Sequence, residues 1–463
     1  KQRNNPQLST LNSIGYSVFT SRGAGCVLAF DVSVLLLPVC RNLIAIIRRT
    51  RINRIIPFDH NIYFHKCAAY MMMLFTLVHV NAHYTNFFWV EVKVKATGLQ
   101  AWQVHYLTWA GSTGHLMLFI MIMMYAAAKF EVRKKNFEIF CFGCFVHDVI
   151  SGKCFPYMSW AWAMPGFAIY FFERVIREYR ARQYTTLTKV IFHPGNTMEI
   201  QFDKPSFQYK PGMYLFINIP EVSVYQWHPF TITSTPEEGF ISIHIRLLGN
   251  WTNQAAKVLG CFKDGIDKSN LSKLPVLRID GPFGAPAEDL YNYKVACLIG
   301  AGIGVTPAAA LLKSIWYRHY RKAPMQLQKV YFFWVNRDKD AFEWFQSLLA
   351  TIEASVPGTF LEIHVYLTGK LSVDDIQNIV LNDANELDPL TELQNRCHYG
   401  RPEWSKMFRA IGVSNQHIAA KDGGKLEVGV FFCGPTPLAH SIGVSCKEVT
   451  NDQITFTLRK EHF

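Results

Sequence analysis

The sequence predicts a multidomain protein: an α-helical membrane-spanning bundle, then an antiparallel β-barrel, then an α/β domain on a parallel sheet. Three observations predict it. Apolar residues crowd roughly the first 175 positions of a 463-residue chain, in runs suited to a bilayer core of about 30 Å. After residue 184, apolar and polar residues alternate between Gly/Pro turns, which is the period of strands. From about Tyr293, strand, glycine turn and amphipathic helix follow one another, as in βαβ units. The expected boundaries are 1–182, 184–290 and 293–463.

Composition narrows the class. Half the residues are hydrophobic and 14% are aromatic. The net charge of +12 sits in clusters flanking the apolar runs, which points to a membrane surface and not to nucleic acid. Eleven cysteines are scattered, and "CFGC" at Cys141–Cys144 has no second pair to complete a cysteine zinc site. The chain opens "KQRNNPQLST" with neither initiator Met nor signal peptide, so it is expected to be a piece whose start lies upstream.

Four apolar runs are marked: Cys26 to Ile47, Ile62 to Phe88, Leu107 to Ala128, and Pro156 to Phe172. "RRTRINR" (48–54), "KFEVRKK" (129–135) and "ERVIREYRAR" (173–182) follow the first, third and fourth. The positive-inside rule puts all three in the cytosol. Two spans join the first basic loop to the second, but one joins the second to the third. A single crossing cannot return to the same side, so either the fourth run does not span or a helix is missing between Phe140 and Cys141.

The second run, "FHKCAAYMMMLFTLVHVNAH", carries three histidines. His65 and His79 are fourteen positions apart, so they share a helix face about 21 Å apart. His83 lies one turn beyond His79. Interhelical hydrogen bonding or snorkelling would account for a lone histidine. Two on one face at opposite depths point to axial ligands of two stacked haems.

In the soluble half, "HPFTITS" (His228 to Ser234) is a strand end able to hold a flavin. The hydroxyls of Thr231, Thr233 and Ser234 and the backbone would reach it, with Pro229 and Phe230 packing nearby. "KVACLIGAGIGVTPAAALLKSIW" is a buried strand, a turn and a helix. Gly300, Gly302 and Gly304 permit close backbone approach, and Thr306 and Pro307 open the helix whose amides would face a pyrophosphate. Val-Thr-Pro after the third glycine departs from the standard dinucleotide fingerprint, so a six-stranded Rossmann sheet is not expected from it. "EVGVFFCGPTPLA" ends a strand at Cys433-Gly434-Pro435, where a nicotinamide ring would lie at a sheet's carboxyl edge. Arg337 in "NRD" and Arg401 in "GRPEW" are candidate partners of a 2′-phosphate, favouring NADPH over NADH.

"LLLPVCRNL", "FHK…VHVNAH", "WHPFTITSTPEE", "SIHIR", "GAGIGVTPAA", "YGRPEW", "FCGP" and a terminal "RKEHF" occur in this order across nearly the whole chain. Together they resemble the NADPH oxidase family, and within it the fungal members without a calcium-binding extension. The resemblance implies a six-helix haem-binding membrane domain joined to a ferredoxin-reductase-like module. It implies electron flow from NADPH through FAD and two b-type haems to dioxygen, releasing superoxide. It also implies an integral protein of the plasma membrane or an endomembrane, in contact with lipid, with its FAD and NADPH domains in the cytosol. Cytosolic regulatory proteins and a small GTPase are the partners it implies.

By the same resemblance His65 and His79 match the haem ligands of the family's third helix, and Arg41 and His83 match a pair lining the oxygen-reducing cavity. His228–Thr231 and His244, Ile245 and Arg246 match the FAD site. Gly300–Pro307, Arg337, Arg401 and Cys433–Pro435 match the NADPH site, and Phe463 matches a terminal aromatic that stacks on the flavin. Cys144 and Cys154 would lie on the oxidising side, where they could pair or remain free thiols. The chain departs from the family where a fifth helix with the second haem ligands is expected. "NFEIF" (136–140) runs straight into "CFGCFVHDV", and His147 is the sole histidine between His115 and His193. The family's first helix, before Lys1, is missing as well. Haem binding by this chain is therefore in question, and a metal reductase or a haem-deficient flavin diaphorase stays open beside the oxidase.

Overall fold

The computed structural model describes residues 16–48, 50, 52, 58–93, 100–129, 159–261, 275–339, 342–382, 386–421 and 423–461. The junction at Phe140–Cys141, the cysteines Cys141, Cys144 and Cys154, His147 and Phe463 lie outside them. The chain divides into two compact units, Lys1–Arg177 and Glu178–Phe463.

In the first unit, helix α1 (Tyr16–Leu36) starts well before Cys26 and stops short of Ile47. Pro38 has no N–H for a helix interior, so the chain passes through a 3-10 turn at Leu37–Val39 before α2 (Arg41–Arg48). Helix α3 (Asn61–Lys93) carries the histidine run. Next come α4 (Ala101–Leu107) and α5 (Trp109–Ala128), the latter capped by the Thr108 side chain, which accepts from the Gly111 amide. Helix α6 (Ser159–Ala181) closes the series. Among the described residues, two segments are long and apolar enough to cross a membrane: Tyr16–Val39 and Gly111–Ala128. The other two expected runs fold as helices too, but histidine and asparagine in α3 and Glu173 with the arginines in α6 dilute their apolar character.

α1 runs antiparallel to α3, with Leu35 beside His65 and Ser21 beside His79. Glu173 accepts from the Asn42 backbone amide at 2.8 Å and from Asn42 Nδ2 at 2.9 Å, a carboxylate at the start of α2.

The second unit begins with two three-stranded antiparallel sheets. One has the order β1 (Thr186–His193), β2 (Thr197–Asp203), β5 (Ile241–Arg246). The other has β4 (His228–Thr231), β3 (Tyr214–Asn218), β6 (Arg278–Phe283). The expected barrel is not closed. Among the described residues one isolated bridge, Ile232–Ile243, links the sheets, because β4 is short and its Pro229 offers no ladder donor. Alternation sends Met198, Ile200, Phe202, Leu215, Ile217, Ile243 and Ile245 into a shared core. Helix α7 (Asn250–Val258) adds Trp251 and Ala255 to that core.

A six-stranded parallel sheet follows, with more strands than the glycine turn alone predicts. Its order is β10 (His398–Tyr399), β9 (Leu361–Leu367), β8 (Lys329–Asn336), β7 (Val295–Ala301), β11 (Leu426–Cys433), β12 (Ile454–Glu461). Helices cover both faces: α8 (Thr306–Tyr320), α9 (Glu343–Ser355), α10 (Val373–Leu381), α11 (Trp404–Ser414), α12 (Gln416–Lys421) and α13 (Thr436–Val449). That burial explains the unbroken apolar text of "VACLIGA" and "KVYFFWVN". Leu298, Phe332 and Trp334 enter one core and Ile299, Phe333 and Val430 the other. Each such side chain contributes about 1.5–3 kcal/mol. The strand order reverses between β7 and β11, and clefts at such switch points receive nucleotides.

Candidate functional site

The two glycine motifs meet at this switch point. Cys433 at the end of β11 pairs with Gly300 at the end of β7, so the turns after both strands leave one edge together. Gly302 has φ of +57°, a backbone conformation that glycine adopts without strain. Its carbonyl accepts from Trp334 Nε1 at 3.2 Å, and Arg246 Nη1 stands 3.7 Å from where its β-carbon would be. A β-carbon on Gly304 would lie 2.4 Å from the Cys433 carbonyl oxygen. Thr306 and Pro307 form the first turn of α8, and no side chain caps that turn. The Thr306 amide donates to the Ile303 carbonyl and Pro307 has no N–H, so what the turn offers a pyrophosphate is a helix start with no capping side chain in the way. Burial pushes the Cys433 thiol well up, so it stays protonated at neutral pH.

The flavin-candidate strand β4 pairs with β3, Thr231 opposite Tyr214 and His228 opposite Ile217. His228 stacks on Trp251 with ring centroids 4.0 Å apart, and Phe230 stacks on the same indole at 6.2 Å. Burial pushes the His228 imidazole down to about 4, so it is neutral at physiological pH. The Thr231 hydroxyl is buried without a hydrogen-bond partner. An orphaned hydroxyl of this kind suits a polar ligand, so the residues fit a bound flavin at this strand. Thr233 and Ser234 behave differently. Thr233 Oγ1 lies 2.8 Å from His244 Nδ1, and Ser234 Oγ lies 2.8 Å from the Tyr209 hydroxyl and accepts from the Ser242 amide. Both are spent inside the protein. Ile245 fills the core, so only its backbone could serve a ligand.

Arg337 and Arg401 are both exposed and follow neighbouring strand ends. Asn336 pairs with Leu367, and Leu367 with Tyr399, so β8, β9 and β10 finish level. The two arginines flank one strand, roughly 10 Å apart at the backbone. Asn336 Oδ1 accepts from the Arg337 amide at 2.8 Å, while its Nδ2 is buried without a partner.

In the first unit, His65 Nδ1 lies 2.9 Å from the Leu35 carbonyl oxygen and His79 Nδ1 2.7 Å from that of Ser21. A carbonyl only accepts, so each Nδ1 carries the proton and each Nε2 keeps its lone pair. That is the tautomer a metal-ligating histidine adopts, with its outer hydrogen bond in place. Gly25 faces the His79 ring, where a β-carbon would stand 3.3 Å from Cε1. Each Nε2 is thus left able to ligate a metal, whereas both ring nitrogens of His115 are engaged. Its Nδ1 is 2.7 Å from the Gly111 carbonyl and its Nε2 3.0 Å from the Tyr84 hydroxyl.

His83 stands with His79, ring centroids 4.5 Å apart. Arg41 does not join them. Pro38, just before it, is bonded to Asn61 at the start of α3, and His83 lies about 33 Å further along that helix. The arginine at the His79 end is Arg22, next to Ser21 and half-buried. Hydropathy reading missed it by starting the span at Cys26, after the charge. Trp251 was also missed, because only the fold-back of α7 brings it to His228.

Three family models match the chain in order: a ferric reductase-like transmembrane component over residues 24–149, an FAD-binding domain over 182–287, and a ferric reductase NAD-binding domain over 293–447. A superoxide-generating NADPH oxidase heavy chain of Dictyostelium discoideum is 38% identical, over 97% of this chain and 90% of its own. NADPH oxidase 1 of Mus musculus is 32% identical, over 98% and 88%. NADPH oxidase 3 of Homo sapiens is 30% identical, over 94% and 88%. The mouse alignment runs over 542 positions, more than this chain possesses, so the relative carries residues with no counterpart here. With likeness over nearly its whole length, the chain belongs to the NADPH oxidase family.

Proposed function

We propose that this membrane protein oxidises NADPH at its parallel-sheet segment and delivers the electrons across the membrane to dioxygen, forming superoxide. When bound, the flavin turns a two-electron hydride into single electrons and the haems relay these one at a time. The chain's own residues bind and orient. The uncapped start of α8 and Arg246 would hold phosphates beside Gly302, and Cys433–Pro435 would seat the nicotinamide edge. Arg337 and Arg401 would receive a 2′-phosphate. Thr231 and the His228–Trp251 stack would position the flavin, and His65 and His79 would each present Nε2 to a haem iron. His83 with Arg22 would stabilise negative charge developing on oxygen.

The observation carrying this reading is the matched pair of Nδ1–carbonyl bonds at His65 and His79, two metal-ready imidazoles at two depths of one helix. A flavin diaphorase needs neither. In this reading residues 1–182 form the membrane segment, 184–290 the flavin segment and 293–463 the nucleotide segment, with the basic loops and the latter two in the cytosol. Sealed vesicles with NADPH and FAD on the cytosolic face test it through superoxide dismutase-sensitive reduction of cytochrome c on the opposite face. Reduction of artificial dyes without that signal would leave a diaphorase, and reduction of ferric chelates in its place a metal reductase.

A further inference from the structure

Three adjacent strands bring one ligand-type side chain each to a single point, and one of the three, His244, comes from the stretch matched to the flavin site. Along β2, Met198, Ile200 and Phe202 turn into the core, so Glu199 and Gln201 take the opposite face. Along β5, Ile243 and Ile245 turn inward, leaving His244 and Arg246 on that same opposite face. Glu199 pairs directly with His244 on one side and with Ile191 of β1 on the other. His193, two residues beyond Ile191, shares its face and reaches the same carboxylate. His193 Nε2 lies 2.9 Å and His244 Nε2 3.6 Å from Glu199 Oε2. The donor atoms of all three lie within 4.8 Å of one another.

The hydrogen bonds around the cluster fix its chemistry. Thr233 Oγ1 lies 3.1 Å from the Ser242 carbonyl oxygen, 2.9 Å from Ser242 Oγ and 2.8 Å from His244 Nδ1, and so holds the His244 ring in place. His244 Nε2 is turned toward Glu199. Two imidazole Nε2 atoms and a carboxylate oxygen thus converge on one point, the donor set of a divalent transition metal. Gln201 Nε2 donates to Glu199 Oε1 at 2.8 Å, and Thr233 fixes His244, which are the outer bonds that orient metal ligands.

We propose that His193, Glu199 and His244 form a site for a zinc-class divalent cation, with the fourth position open beside His193. Zinc bonds of about 2.0–2.1 Å in a tetrahedron set ligands about 3.3 Å apart, within the range these atoms already span. His193 is the most exposed of the three, which leaves a path for entry. The ion would tie β1, β2 and β5 together at the strand that carries Arg246.

The test uses the full chain in detergent, stripped with a chelator and titrated with Co²⁺ as a spectroscopic stand-in for zinc. A tetrahedral cobalt absorption should saturate and be displaced by Zn²⁺, and Zn²⁺ should raise the thermal midpoint. Histidine clusters in the membrane half could also take cobalt, so variants locate the site. His193→Asn and Glu199→Gln should each remove the signal and the zinc-dependent rise in midpoint. Gln201→Leu should weaken binding by about 10–100-fold. His193→Asn keeps a polar side chain at a half-exposed strand end, so it separates loss of a ligand from loss of the sheet. No tetrahedral signal in the parent chain, or an unchanged one in both ligand variants, overturns the site.

Discussion

The backbone of Gly304 passes so close to Cys433 that a β-carbon would come within 2.4 Å of the Cys433 carbonyl oxygen. The obstacle is backbone, so it cannot swing aside as a side chain would. Gly304→Ala must push apart the two turns that form the nucleotide edge. Overpacking of this kind costs about 1–3 kcal/mol. The expected outcome is a lowered thermal midpoint and at least a tenfold loss in the rate at which NADPH reduces the flavin, read by stopped-flow absorbance. A variant that reduces flavin at the parental rate would show that nicotinamide does not use this edge.

Thr231 offers a cleaner separation of folding from binding. Its hydroxyl is buried and finds no partner in the protein, so Thr231→Val should be neutral or stabilising without flavin. With flavin it should lose one hydrogen bond, about 0.5–1.5 kcal/mol, or roughly two- to tenfold in FAD affinity. Fluorescence titration of the flavin-free protein measures both. Equal FAD affinity in the two proteins removes Thr231 from the flavin site.

Much of the second unit was legible in the sequence because it is written in local signals. "VACLIGA" and "KVYFFWVN" are unbroken apolar strands because helices cover both faces of their sheet. The glycines after β7 mark a turn whose backbone has to come close to Cys433. What was not legible depends on pairing across distance. Nothing local to Thr233 says that its hydroxyl is taken by His244, and nothing local to β4 says that one bridge alone reaches β5. Arg41 resembled a cavity residue by motif, but the break at Pro38 and the antiparallel return of α3 carry it away from His83. Arg22 lies at the His79 end instead, because α1 begins earlier than its apolar text does.

Arg337 and Arg401 sit at level strand ends with one strand between them. Charge-assisted hydrogen bonds contribute about 1.5–3 kcal/mol each. Replacing both with Ala should lower the NADPH-to-NADH ratio of kcat/KM by tenfold or more while leaving the NADH value nearly unchanged. A preserved ratio would assign the 2′-phosphate to other residues.

His65 and His79 each have one nitrogen committed to a carbonyl and one left for iron, but both ring nitrogens of His115 are engaged elsewhere. Bis-histidine ligation needs an imidazole on each side of the iron. The chain with this sequence is expected to carry fewer than two low-spin haems per flavin, read from reduced-minus-oxidised spectra, and to release superoxide more slowly than a form with the full pair. Inserting a helix with paired histidines between Phe140 and Cys141 should raise the count to two. Two haems per flavin in the uninserted chain would mean that other residues complete the axial pairs.

The stacked pair His228 and Trp251 makes the flavin region sensitive to acid. Burial lowers the folded-state value of His228 from 6.5 to about 4, so the fold favours the neutral ring. Between those values the unfolded chain binds a proton that the folded chain does not, and protonation draws the equilibrium toward unfolding. The contribution of the neutral ring is therefore complete above pH 6.5, declines as pH falls through that window, and is gone below about 4. His244, held down to about 3, pulls the same way over a longer range, so the two must be separated by variant. His228→Phe keeps an aromatic ring against Trp251 and removes the titration. Thermal midpoints of the parent should fall more steeply than those of His228→Phe from pH 6.5 to 4, and the two slopes should converge below pH 4. Parallel slopes over the whole range would mean that His228 does not titrate in this environment, and the acid sensitivity would then belong to His244.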